Sequence, residues 1–250
     1  MVKQSIIKCL KKRCTGFIRN HFFKTESCKM ENKLIIWDFD GVIADSEHLW
    51  IRNWQDLLNE KFGLNWDFET AVKYLGGISP QTKIENLKKL GILINDDFLT
   101  EIKKRDWEII HTDFKAIEGV ENILKNTNKK YCLATGGNRD KTLEKLKALD
   151  FKKYFPDEEI FTAEQVKKGK PAPDLFLYAA EKNGFKPKNC IVVEDSLPGL
   201  TAGLAAGMTT AAFIGSQMTD NQSYEQKVRK LGVDNIFRNM KKLESWLNNE

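Results

Sequence analysis

The chain changes rhythm twice after residue 33, and each rhythm predicts a different kind of element. Residues 34–37 form an unbroken apolar run, LIIW, that stops at Asp38-Phe39-Asp40-Gly41. A short run without alternation suits a strand buried on both faces, as in a parallel sheet. Between residues 46 and 114 the apolar positions take helical spacing: Leu49, Trp50, Trp54, Leu57, Leu58 and Phe62, then 72–75, then Ile84, Leu87 and Leu90, then Phe98, Ile102 and Trp107. Breaks at Gly63, Gly76-Gly77, Gly91 and Asn95-Asp96-Asp97 divide this stretch into about four helices. After Gly119 strand and helix alternate. Strands are predicted at 131–135, 160–162, 190–194 and 209–214, and helices at 120–125, 141–149, 174–183 and 198–206. Strict alternation implies βαβ units. The expected fold is therefore α/β: a Rossmann-like parallel sheet with helices on both faces and an inserted all-helical domain. The polar tail 216–250 ends in Leu243, Trp246 and Leu247, which predict a final docking helix.

Composition narrows the class. With 41% hydrophobic residues in 250, the chain can bury a core. The net charge of +5 is concentrated at the start, where residues 1–29 hold eight lysines or arginines against Glu26 alone. The rest carries 32 basic and 34 acidic residues, so it offers no general positive field and nucleic acid is not an expected partner. The five cysteines, Cys9, Cys14, Cys28, Cys132 and Cys190, form neither a CxxC nor a zinc-type spacing, which points to a reducing, cytoplasmic setting. Ile6, Leu10, Cys14, Phe17 and Ile18 fall on one face of a basic helix, but no apolar run there is long enough for stable membrane insertion. Residues 1–29 read as a surface helix, a targeting peptide, a disordered tail or the product of a start site placed before Met30. They are expected to be dispensable for chemistry.

Ligands in such sheets bind beyond the carboxyl ends of the strands. The first strand delivers Asp38 and Asp40 there, the second Thr135 with Gly136-Gly137, and the fourth Glu194 and Asp195, while Lys170 follows the third. Four carboxylates on one edge repel one another unless a divalent cation and an anionic ligand complete the balance, which magnesium and a phosphate would do. Each feature alone has a plainer reading: the DxD as a turn, Thr135 as a strand end, Lys170 as a solvated lysine before a proline-shaped helix start, Glu194-Asp195-Ser196 as a helix N-cap.

Taken together, DFDGVIADSE at 38–47, LATGGN at 133–138, GKPAPDLF at 169–176 and VVEDSLPGLTAGLAAGM at 192–208 resemble the four motifs of the haloacid dehalogenase superfamily, in the branch of small-molecule phosphatases and β-phosphoglucomutase-like enzymes. The resemblance covers residues 33–213. It implies a catalytic core of 30–45 and 115–250 with a type 1 helical cap at 46–114. Asp38 would be the nucleophile that becomes an aspartyl phosphate, and Asp40 the general acid and base. Magnesium would be held by Asp38, the Asp40 carbonyl, Asp195 and, directly or through water, Glu194. Thr135, Lys170 and backbone N–H groups near Gly41 and Gly136 would bind the phosphoryl oxygens. An aspartate at position 40 favours phosphate esters over haloacids, since relatives acting on other substrates lack it.

Two departures bear on the reaction. The mutase pattern places a histidine where this chain has Trp50, and an arginine soon after the cap glycine where Gly77-Ile78-Ser79-Pro80 has none. The expectation is thus a magnesium-dependent phosphatase of a small metabolite, a sugar or sugar-acid phosphate, acting as monomer or homodimer, with a phosphosugar mutase as the alternative. Segment 74–81, with Ser79, Gln81 and Thr82 nearby, is expected either to line the substrate pocket or to be an ordinary helix-ending turn. Trp50 and Trp54 would form either an aromatic shelf for the substrate or the buried face of a helix.

Overall fold

The computed structural model describes residues 33–78 and 80–250; the basic segment 1–29 and Ser79 lie outside the described residues. Six parallel strands form one sheet in the order β3-β2-β1-β4-β5-β6. They are β1 (Leu34–Trp37), β2 (Tyr131–Thr135), β3 (Ile160–Thr162), β4 (Cys190–Glu194), β5 (Thr209–Phe213) and β6 (Asn235–Phe237). β1 lies between β2 and β4, and all four of its side chains are buried, which is why LIIW shows no alternation.

Successive residues of a strand point to opposite faces, so the sheet has two cores. On one face Ile35, Trp37, Leu133 and Val193 pack with Val120 and Leu124 of α5 (Val120–Asn126), Leu146 of α6 (Arg139–Ala148) and Leu243 of α10 (Met240–Leu247). On the other, Leu34, Ile36, Cys132 and Val192 meet Leu175 and Phe176 of α7 (Asp174–Lys182) and Ala202 of α8 (Leu197–Ala205). Leu200, Ala212 and Ile214 extend that side to Val228 of α9 (Gln222–Lys230).

The stretch between β1 and α5 holds four helices: α1 (Glu47–Phe62), α2 (Phe68–Leu75), α3 (Pro80–Lys89) and α4 (Asp96–Thr112). Asp67 and Asn95 cap α2 and α4 by accepting from Thr70 and Phe98 N–H, which explains their sharp starts. These helices share a separate apolar cluster that includes Ile51, Trp54, Leu57, Leu75, Leu87 and Phe98. Entry and exit are tied together: Ala44 bridges Ala116, and Ile117 N–H donates to Ile43 O at 2.9 Å. The strands and helices expected from the sequence are present to within a few residues. β6 and α9 were not anticipated.

Candidate active site

The parallel register brings the ends of β1, β2 and β4 to one edge, with Trp37 opposite both Leu133 and Val193. Asp38 follows β1 directly, Thr135 ends β2, Glu194 ends β4 and Asp195 comes next. All four are buried, though separated by up to 157 positions in sequence.

Lys170 joins the distant parts. Its Nζ donates to Asp38 Oδ1 at 2.5 Å, Glu194 Oε2 at 2.8 Å and Ala134 O at 3.1 Å. Burial works against its ammonium, but Asp38 and Glu194 outweigh it and raise the lysine above its ordinary value. Glu194 Oε1 is taken by Ser196 N–H and Oγ–H, at 3.0 and 2.6 Å. Burial and the neighbouring Glu194 push Asp38 up to about 7, and burial with Glu194 and Asp38 raises Asp195 well above the carboxylate range. One lysine does not neutralise this cluster.

Asp40 lives in different surroundings. Lys145 of α6 donates to both of its oxygens, at 2.6 and 2.7 Å, while Ser46 Oγ–H and Trp50 Nε1–H reach Oδ1 at 2.5 and 3.1 Å. Burial alone would raise Asp40, yet the Lys145 charge and these donors take it down to about 2. Lys145 is itself buried, with its Nζ 5.2 Å from the Phe39 ring centre, 4.9 Å from Trp50 and 6.0 Å from Phe114. Three aromatic faces and a bidentate carboxylate hold it in place. The sequence reading missed Lys145. Its signal was there: Thr142, Lys145 and Leu146 form the buried stripe of α6, and a lysine at such a position needs a partner.

The remaining expected residues fall around these two clusters. Gly41 has φ +86°, and a Cβ there would lie 1.9 Å from Asp195 Oδ2, so the DFDG turn can close over Asp195 only without a side chain. Gly199 is similar: a Cβ would sit 2.1 Å from Glu194 Cδ. Thr135 Oγ1 accepts from Gly137 N–H at 3.2 Å, and Gly136 is exposed beside it. Gly77 N–H donates to Glu47 Oε1 at 2.9 Å, which pins the glycine loop to the start of α1. Trp50 and Trp54 are both buried, Trp50 with its indole N–H on Asp40.

A divalent cation fits the donor set. Asp38, Glu194 and Asp195 each offer a carboxylate oxygen within 4.8 Å of the others, all buried. Among the described residues no hydrogen bond ends on the Asp195 carboxylate, whereas both Glu194 oxygens are engaged. Four carboxylates here face two ammonium groups, and one magnesium ion would cancel the residual charge with the oxygen ligands it prefers.

Comparison with known proteins agrees with this geometry. Residues 35–213 match the family model of haloacid dehalogenase-like hydrolases. The chain is 26% identical over 181 residues to the 6-phosphogluconate phosphatase of Escherichia coli (strain K12), covering 72% of this chain and 81% of that one. It is 30% identical over 183 residues to the fructose-1-phosphate phosphatase of the same organism, covering 70% and 92%. Among solved structures, a conserved haloacid dehalogenase-like protein of unknown function from Agrobacterium tumefaciens superposes with a TM-score of 0.76 at 26% identity, over 87% of this chain and 98% of that one. No helix of the described residues is long and apolar enough to cross a membrane.

Proposed function

The chain belongs to the haloacid dehalogenase-like hydrolases, and on that footing we propose that it is a magnesium-dependent phosphatase of a sugar or sugar-acid phosphate, working through an aspartyl phosphate on Asp38. The observation that carries the reading is the convergence of Asp38, Lys170, Glu194 and Asp195 in one buried cluster beside Asp40. The relatives that hydrolyse 6-phosphogluconate and fructose 1-phosphate support the substrate class.

Asp38 would attack phosphorus while Lys170, fixed by Glu194 and Ala134 O, draws its ammonium charge toward the phosphoryl oxygens. Thr135 and the N–H groups near Gly41 and Gly136 would hold those oxygens. Asp40 would protonate the departing sugar oxygen and then take a proton from the water that hydrolyses the acyl phosphate. The ionised form that Lys145 favours is the base required by the second step; the acid form requires Asp40 to leave that pairing. Magnesium, held by Asp38, Asp195 and the Asp40 carbonyl with Glu194 as support, would supply the charge compensation that lets a carboxylate meet a phosphate.

Residues 46–114 would act as the cap that closes over the substrate. The buried unpaired thiols Cys132 and Cys190 support a reducing, cytoplasmic setting. The test is phosphate release from a panel of sugar phosphates with magnesium present. Turnover abolished by EDTA is expected; isomerisation without net phosphate release would establish a mutase instead.

A further inference from the structure

The region between the helical insert and the core contains three lysines that can be compared one by one. Lys145 is paired with Asp40. Lys141 stands 4.0 Å from the Trp50 ring centre and donates to Asp106 Oδ2 at 2.6 Å, and the other oxygen of Asp106 accepts from Asn53 Nδ2–H at 2.7 Å. Lys83, on α3 just after the glycine loop, is only 5% exposed, yet no carboxylate of the described residues pairs with it.

Its neighbourhood lies between the helical insert and the residues around Asp40. Lys83 Nζ lies 5.7 Å from the centre of the Trp54 ring. Trp54 is one helical turn beyond Trp50, whose indole N–H touches Asp40, and a turn advances a helix by about 5.4 Å. The charges that act on Lys83 come from both sides: Glu47 and Asp106 on the insert, Lys141 and Asp40 on the core. Of the carboxylates, Asp40 is held by Lys145, Asp106 by Lys141 and Asn53, and Glu47 by Gly77 N–H. A buried ammonium without a counter-ion is costly, and burial lowers the Lys83 pKa. Among the described residues no carboxylate forms an ion pair with Lys83, Glu47 acts on it only at a distance, and an anion from outside can therefore serve as its counter-ion.

We propose that Lys83 binds a second anionic group of the substrate, a carboxylate or a further phosphate, about one helical turn from the leaving oxygen, so that the preferred substrate is a phosphate ester with two separate acidic groups. The assignment rests on the phosphatase reading above and names the substrate class for that site. Trp54 would pack against the carbon chain between the two acidic groups, and Lys83 would discriminate by charge.

The experiment uses the full chain with magnesium and three substrates: glucose 6-phosphate, with one acidic group; 6-phosphogluconate, which adds a carboxylate; and fructose 1,6-bisphosphate, which adds a phosphate. The wild-type kcat/KM should be at least roughly tenfold higher for one of the latter two than for glucose 6-phosphate, as a charge-assisted hydrogen bond can provide. Which of the two is preferred identifies the anion. Lys83→Met should bring that ratio close to one, mainly through KM, and Lys83→Arg should retain most of it. Equal wild-type rates on all three substrates, or a Lys83→Met loss that is the same on all, would overturn the proposal. The wild-type ratio decides the matter alone if Lys83→Met does not fold. Turnover of p-nitrophenyl phosphate without any preference sinks only this inference; no turnover of any ester sinks the phosphatase reading and this inference with it.

Discussion

Removing Lys145 should destabilise the protein through one interaction, that with Asp40, and a double-mutant cycle isolates it. Lys145→Met keeps the length of the side chain within the cage of Phe39, Trp50 and Phe114 but deletes two charge-assisted hydrogen bonds, at 2.6 and 2.7 Å. Breaking a buried ion pair on one side typically costs about 3–5 kcal/mol. Here the Lys145 side chain is 5% exposed and that of Asp40 24%, so water and the donors Ser46 and Trp50 recover part of the loss. An expected cost of about 2–3 kcal/mol remains. For a chain of this size that lowers Tm by about 5–10 °C. Asp40→Asn leaves the ammonium caged without a counter-ion and should cost a similar amount. In the double mutant neither charge is stranded, so its loss should be smaller than the sum of the single losses by about 2 kcal/mol. Calorimetry or urea unfolding of the four proteins in EDTA, where bound metal does not contribute, measures the cycle. Additivity within about 0.5 kcal/mol would refute the argument.

Asp38→Asn should abolish phosphate release while leaving Tm in EDTA unchanged or raised, because it removes a carboxylate that burial and Glu194 have already pushed up to about 7; a variant with wild-type turnover would exclude Asp38 as nucleophile. EDTA should stop turnover of the wild type, and added magnesium should restore it and raise Tm by binding only the folded state; a chelator-insensitive rate would show that the carboxylate cluster works without a divalent ion. Gly199→Ala should lower both Tm and rate although alanine favours a helix by about 1 kcal/mol, since its Cβ would have to displace the Glu194 carboxylate 2.1 Å away; a more stable, fully active variant would show that Glu194 has room to move.

The parts of the fold that could be read from the sequence are those fixed by local pattern. LIIW and CIVVE are central strands buried on both faces, so their apolar runs state their place directly. The helices of the insert bury one stripe each and leave a periodic trace. β6 leaves none: NIF is three residues long, half-buried and at the sheet edge, and only its pairing with β5 makes it a strand. α9 buries only Val228 fully, with Tyr224 packed beside it one turn earlier, so its apolar face is two residues in a polar QSYEQKVRK, too short a stripe to stand out beside the Asn221 cap. That Asp38, Thr135, Glu194 and Asp195 meet at one sheet edge was legible because each ends or directly follows a readable strand, and Lys170 lies in the loop between β3 and α7. Lys145 and Lys83 come from helix faces, where only a buried lysine among apolar neighbours hints at a role. What such a lysine meets depends on contacts 105 positions away in sequence for Lys145, and no local pattern contains that information.

The two aspartates of the DFDG turn are two residues apart, and in the proposed mechanism they need opposite properties, one to attack and one to exchange protons. A shared environment would couple them, since like charges this close cannot titrate independently. The fold reduces that coupling by giving each its own lysine from a different element. Lys170, from the loop before α7, binds Asp38 together with Glu194; Lys145, from α6, binds Asp40 beneath Trp50 of the helical insert. The first pair belongs wholly to the core, whereas Asp40 is reached by Ser46 and Trp50 from the start of the insert. A shift of α1 against the core therefore changes the donors on Asp40 and leaves those on Asp38 in place. In the proposed mechanism the acid-base residue is thus the one whose donors come from the insert, so closure of the insert would change its protonation while the proposed nucleophile keeps its partners.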